Sequence, residues 1–301
     1  MTVLLPKLLH NYRTISMTKK VKIVVLAKQV PDTRNVGKDA MKEDGTVNRS
    51  ALPAIFNPED MNALEQALRI KDSLKEAEIT LLTMGPGRAA DIIREGLFRG
   101  ADGGILLTDR KFAGADTLAT SYALSQAIKR ISPDIIVAGR QAIDGDTAQV
   151  GPQVAEKMGW PQITYAEEVV DVNESQITVR RRLERGIEVV SSPLPVLVTV
   201  TATAAPCRPR HAKKLLKNKN ARTQSELQAE SLEQGNSYLI PEWGFNEIGG
   251  DEKSYGMSGS PTKVKKIENV VFQAKEAKTL TAEDKDIEAL MQELIASHTL
   301  G

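Results

Sequence analysis

The chain has 301 residues, enough for one large domain or a domain with appendages, and 40 Lys and Arg against 39 Asp and Glu leave a net charge of +1. That balance provides no global basic field for nucleic acid, and an aromatic content of 4% provides few surfaces for base stacking. The single cysteine, Cys207, excludes internal disulfides and fits a reducing compartment; His10, His211 and His298 show no zinc-like spacing, and no apolar run reaches the 18 residues of a membrane span.

Residues 1–19 contain Lys7, Arg13 and Lys19 and no acid. A transit peptide has that composition, which would place the protein in the mitochondrial matrix. The plainer reading is a disordered or cleaved extension, or an over-long start, on a cytoplasmic protein, because Met17 and the residues after it run straight into the first strand.

From 21 to 159 short apolar strands alternate with amphipathic helices. The strands are expected at 21–27, 78–84, 104–107 and 134–138, each without polar alternation, as for parallel strands covered on both faces. The first helix starts sharply, with Asn57 as cap, Pro58 at the first helical position and Glu59 and Asp60 in the first turn. Further helices are expected over about 88–98 and 116–131, and a fourth from Thr147. Four βα units in order predict an open, mainly parallel sheet with helices on both faces. In such a sheet the ligand lies at the carboxyl ends of the strands, where strand order reverses. The connection 29–56 is too long for an ordinary βα loop, and long ordered loops are often functional.

Beyond Trp160 the pattern changes to antiparallel pieces at 163–172, 176–183, 186–191 and 195–200, with Glu184-Arg185-Gly186 as a hairpin turn. After Pro209 the chain is basic and then irregular and Gly-rich to about 262. The final helix, 281 to about 296, has a capping box of Thr281 with Asp284 and an apolar stripe of Ile287, Leu290, Met291 and Leu294. These shifts divide the chain into an extension (1–19), a nucleotide-binding α/β domain (20–219) and a partner-binding C-terminal arm with its helix (220–301).

Residues 134–152 carry the most chemistry. A buried strand breaks at Gly139 into a polar loop, and a helix start follows at Asp146-Thr147. A strand, a tight loop and a helix amino terminus together bind nucleotide phosphates, through free N–H groups and the helix dipole, each contact contributing roughly 0.3–1 kcal/mol when exposed. Thr147 and Gln149 are short-range donors for phosphate oxygens, while Gly145, Ala148 and Gly151 keep the backbone approachable. Arg140 brings a fixed positive charge, with a surface salt bridge as its alternative. Asp144 and Asp146 have the composition of a general acid–base pair or magnesium ligands, but beside phosphate the quieter roles weigh more: a helix cap at Asp146, and acceptors for ribose hydroxyls or loop amides. Gly85-Pro86-Gly87-Arg88 is a second, weaker phosphate candidate. No dinucleotide fingerprint, P-loop or nucleophile elbow is present, so no catalytic residue is assigned. Cys207 reads as a bystander, with an activated thiol as the alternative.

The run from Gly139 to Gly151 resembles the nucleotide loop of the electron transfer flavoprotein β subunit. A second match is the hairpin region, where Val179, Arg181, Glu184, Gly186, Glu188, Val190, Pro195, Leu197, Val198 and Thr199 fall at that family's spacing; Arg185 departs from it. Leu26-Ala27-Lys28 and Asn57-Pro58-Glu59-Asp60 are also similar, so the resemblance covers about 21–219. It implies an adenine-nucleotide α-hydrolase-like fold and a heterodimer with an α subunit whose FAD exchanges electrons with acyl-CoA dehydrogenases. The β subunit holds AMP in simpler members and a second FAD in electron-bifurcating ones. There the flavin takes a hydride from NADH and divides the electrons between a high-potential acceptor and a low-potential one such as ferredoxin.

Carried over by position, the resemblance implies cofactor contacts at Leu26, Ala27, Asn57, Pro58, Glu59, Asp60, Met84, Arg140, Gln141, Ala142, Ile143, Asp144, Gly145, Asp146, Thr147, Ala148, Gln149, Val150 and Gly151. Gly145 and Ala148 stand where AMP-type members carry a third acid and a larger polar residue, which resembles the bifurcating, FAD-binding version of an NADH-dependent oxidoreductase complex. Residues 201–211 occupy the segment that in the family recognises the dehydrogenase through a leucine, and they contain none. Two readings stand beside the bifurcating one: a β subunit that holds AMP structurally, and a stand-alone adenine-nucleotide sensor, which an unpartnered C-terminal helix argues against.

Overall fold

The computed structural model describes residues 20–32, 53–74, 76–233, 235, 238–262, 279–297 and 299. Expectations for residues 1–19 and for 33–52 of the long connection lie outside the described residues. The chain divides into two units, Met1–Lys263 and Val264–Gly301.

The first unit runs β1 (Val21–Leu26), β2 (Gln29–Pro31), β3 (Ala54–Phe56), α1 (Pro58–Ser73), β4 (Ala77–Met84), α2 (Ala90–Arg99), β5 (Gly103–Leu107), α3 (Thr117–Ile131), β6 (Ile135–Gly139) and α4 (Val150–Met158). It continues with β7 (Gln162–Val172), β8 (Gln176–Leu183), β9 (Gly186–Pro193), β10 (Val196–Val200), α5 (Ala212–Asn218), β11 (Arg222–Thr223), α6 (Gln224–Ala229), β12 (Leu239–Ile240), β13 (Glu242–Trp243) and α7 (Phe245–Ile248). The main sheet has nine strands in the order β13-β5-β4-β1-β6-β10-β7-β8-β9, parallel from β13 to β7 and antiparallel across β7-β8-β9; β2 and β3 form a separate antiparallel pair.

Strand alternation explains the layers. Ile23 and Val25 pack with Leu64 and Leu68 of α1, whereas Val24 and Leu26 pack with Leu124 of α3 and Val154 of α4. Each such aliphatic side chain contributes roughly 1.5–3 kcal/mol on full burial, which commits β1 to a position covered on both faces. Polar alternation is absent from β1, β5, β6 and β10 for the same reason.

The segment 195–200 departs from the antiparallel expectation. It inserts as β10 between β6 and β7, parallel to both, pairing Val196 with Ile135 and Leu197 with Gln162. All five residues of β10 are buried, and a strand buried on both faces belongs in the parallel part of the sheet rather than in the half-exposed hairpin. The hairpin itself forms, with Leu183 opposite Gly186 and Gly186 at φ 145°. The described residues of 220–262, expected to start an arm, belong to this unit: β13 extends the sheet beside β5, and Tyr255 is buried in the core.

In the second unit α8 spans Asp284–Ala296 and none of its residues is buried. Its start differs from the expected capping box. Thr281 donates its N–H and hydroxyl to Asp286 at 2.9 and 2.8 Å, so the Thr281–Asp284 pairing does not form and the helix begins later.

Candidate functional site

Strand order reverses between β1 and β6, since β4 and β5 follow on one side of β1 and β6 lies on the other. A cavity of about 420 Å³ opens at the carboxyl ends of these strands, a volume within the range of small-molecule sites. Leu26, Leu82, Met84 and Ala138 supply apolar surface from the strand ends, and the loop after β6 supplies one wall.

That loop is held from outside by the first turn of α1. Asn57 accepts the Ile143 N–H at 3.1 Å and donates to the Gln141 carbonyl at 2.9 Å. Glu59 accepts the Gln141 N–H at 2.8 Å and pairs with Arg140 at 3.3 Å. Asp60 accepts the N–H of Lys28 at 2.8 Å and of Gly139 at 3.1 Å, joining the ends of β1 and β6. Burial pushes the Asp60 carboxyl up to about 7, against the pull of those two N–H groups. Across the mouth Lys28 Nζ pairs with Asp144 at 2.7 Å. Asn57 therefore does not cap its own helix as expected; its side chain braces a loop from another part of the chain.

Inside the loop Gly145 and Asp146 donate to the Ala142 carbonyl, closing a turn. Asp146 and Ala148 then adopt positive φ, 49° and 53°. Alternating left- and right-handed residues turn successive N–H groups to one side, the concavity that binds anions. Among the described residues, the N–H groups of Thr147, Ala148, Gln149, Val150 and Gly151 find no acceptor, while all five residues line the cavity. The helix expected from Thr147 begins as α4 at Val150 with Gln149 at its cap, so Asp146 is not a helix cap. Its carboxylate instead accepts Gln141 Nε2 at 2.9 Å. Gly151 is small for a packing reason: an added Cβ would stand 2.7 Å from Thr199 Cγ2.

Of the residues singled out from the sequence, Leu26, Ala27, Asp60, Met84, Arg140, Gln141, Ala142 and all of 145–151 line the cavity. Asn57, Pro58, Glu59, Ile143 and Asp144 do not; they stand behind the wall or across its rim. Lys28, which follows the first strand, lines the cavity too, and sequence reasoning missed the facing wall, made by Phe112, Gly114, Ala115, Asp116, Thr117, Thr120 and Leu124. A signal existed, because 108–116 follows a strand end like the other three loops, and Asp116 caps α3 through the Ala119 N–H at 3.0 Å. The Gly85–Arg88 candidate leads into a 3-10 turn, Gly87–Ala89, and lies outside the cavity lining. Burial pushes the Cys207 thiol up to about 11, which removes the activated-thiol alternative. Among the described residues no group of acidic, His or Cys side chains is arranged to hold a metal ion, and no helix is long and apolar enough to cross a membrane.

The family model described as electron transfer flavoprotein domain matches residues 44–232. The electron transfer flavoprotein subunit beta of Megasphaera elsdenii is 45% identical over 254 residues, covering 82% of this chain and 87% of that protein. The chain belongs to the electron transfer flavoprotein β-subunit family. Protein FixA of Sinorhizobium fredii is 40% identical over 283 residues, or 91% and 92% of the two chains. The caffeyl-CoA reductase-Etf complex subunit CarD of Acetobacterium woodii is 39% identical over 245 residues, or 81% and 86%. Membership as a β subunit implies an α-subunit partner, and the two motifs that carried the resemblance lie inside the matched stretch. In this β subunit the glycines of the loop serve close packing at Gly139 and Gly151 and leave open space at Gly145.

Proposed function

We propose that this chain is the β subunit of a heterodimeric, electron-bifurcating electron transfer flavoprotein and holds an FAD in the cavity between β1 and β6. The observation that carries this reading is the row of five N–H groups at 147–151 without acceptors among the described residues, on a loop bent by two positive-φ residues, at the reversal point of a parallel sheet. A pyrophosphate fits such a row, and the cavity's residues suit the rest of the ligand. Thr147 would add a hydroxyl donor, Leu26, Met84 and Ala138 apolar contact, and Arg140 a positive charge. A Cβ added to Gly145 would meet nothing within 4 Å, so the loop leaves room for a ligand larger than AMP.

When bound, FAD supplies two-electron chemistry with NADH and one-electron transfer to separate acceptors. The protein's own part is to bind the anion on main-chain amides, to hold the loop through Asn57, Glu59 and Asp60, and to keep Lys28 and Asp144 across the rim. The acceptors in this proposal are an acyl-CoA dehydrogenase and a low-potential carrier such as ferredoxin, in the cytoplasm. The name of the Acetobacterium relative, which places that protein in a CoA-ester reductase complex, supports the first of them. Residues 201–211 lack a leucine, but Leu216 on α5, just beyond and next to Lys217, is 64% exposed and suits docking of the dehydrogenase. The amphipathic α8, with Ile287, Met291 and Ile295 exposed, suits docking on the α subunit.

Cofactor extraction from the co-purified αβ pair tests the reading. Two FAD and no AMP per heterodimer are expected. One FAD with one AMP would assign the cavity a structural nucleotide and end the bifurcation proposal. A stable flavin-free monomer would instead favour a nucleotide sensor.

A further inference from the structure

Residues 244–262 lie beyond the stretch matched by the family model, yet they form the outer support of the facing wall of the cavity. Tyr255 is 2% exposed, and its ring packs against Phe112 at 5.3 Å, Tyr122 at 5.1 Å and Phe245 at 5.5 Å. Asp109 accepts the Phe245 N–H at 2.9 Å, and Lys111 Nζ sits 4.0 Å above the Phe245 ring. The two segments pass so closely that a Cβ on Gly256 would stand 2.2 Å from the Lys111 carbonyl oxygen, and one on Gly114 would stand 2.4 Å from Met257 Cγ.

The contacts converge on Asp116. Its N–H donates to Ser260 Oγ at 2.8 Å, and Ser260 donates in turn to the Gly256 carbonyl at 2.6 Å. One carboxylate oxygen accepts the Ala119 N–H; the other accepts the N–H and hydroxyl of Thr262. Three donors thus satisfy the carboxylate of Asp116 in the cavity wall and fix its orientation.

We propose that residues 255–262 are a positioning element of the nucleotide site, with Ser260 and Thr262 fixing Asp116 and, through it, the 114–117 wall. The inference rests on the reading that the cavity holds a nucleotide. The physical reason is ordering: Gly114 at φ 72° and its neighbours form a loop between β5 and α3, and a wall already fixed before binding does not charge its ordering entropy to the ligand. Asp116 acts here as a positioning residue.

AMP and FAD are titrated calorimetrically into the full chain and into Thr262→Val, Thr262→Ser and Ser260→Ala/Thr262→Val variants, alongside melting of the nucleotide-free proteins. Thr262→Val is expected to weaken nucleotide binding by about tenfold, the effect of one hydrogen bond to a charged group, with the nucleotide-free melting temperature hardly moved. Thr262→Ser is expected to restore affinity, and the double variant to weaken it further. Unaltered affinity in Thr262→Val, with the unmodified chain binding normally, overturns the positioning role alone. An unmodified chain that takes up neither nucleotide overturns the reading beneath it as well.

Discussion

Asn57 and Ile143 are 86 positions apart in sequence, and the side-chain oxygen of the first accepts the main-chain N–H of the second at 3.1 Å. This bond, with the Asn57 donation to Gln141, makes the start of α1 a brace for the loop after β6. Asn57 has no solvent exposure, so water does not replace either bond without rearrangement.

Asn57→Ala is expected to lower stability by about 1–3 kcal/mol for each group left without a partner. Nucleotide affinity falls with it, because the loop carrying the free N–H row loses its brace. Urea denaturation followed by nucleotide titration checks both; a stable variant with a normal affinity would show that the brace is idle.

Two glycines of the same loop are expected to behave in opposite ways. A Cβ on Gly139 would meet Asp60 Oδ1 at 2.3 Å and its main-chain nitrogen at 2.7 Å, so Gly139→Ala costs at least the upper end of the ~1–3 kcal/mol typical of overpacking. Nothing lies within 4 Å of a Cβ on Gly145, so Gly145→Asp changes stability by no more than about 0.5 kcal/mol. The added carboxylate is expected to lower the FAD content of the purified heterodimer while the fold melts as before.

Asp60 gives a pH dependence of definite sign. Burial raises its folded value from 3.8 to about 7, so the folded state holds this proton more tightly than the unfolded chain. Its contribution to stability is therefore fully present below about pH 4 and is lost as the pH rises through about 7. Stability measured by urea denaturation between these values is expected to slope downward, and Asp60→Asn to flatten that slope, because an amide at this position does not titrate.

Cys207 is expected to be unreactive. With its thiol pushed up to about 11 by burial, only a small fraction is thiolate at pH 8, so a disulfide reagent should modify it far more slowly in the folded chain than in urea. Rapid labelling of the folded protein would contradict this environment.

The sequence by itself determined the βα alternation from Val21 to Met158, the hairpin at Gly186 and the importance of the 139–151 loop. These rest on local physics: apolar runs, proline at the start of α1, and glycine where φ is positive. It also carried the two spacings that resemble the family. Only the tertiary structure decided that β10 lies parallel between β6 and β7, that Asn57 and Glu59 brace the loop from behind, and that Asp116 with Thr262 closes the other wall. Residues 195–200 have the same apolar pattern in either orientation, and a carboxylate or amide before a helix is a cap until a distant N–H competes for it. Strand partners and hydrogen-bond partners across 80 to 150 residues are chosen by how the layers pack, which no local window of sequence contains.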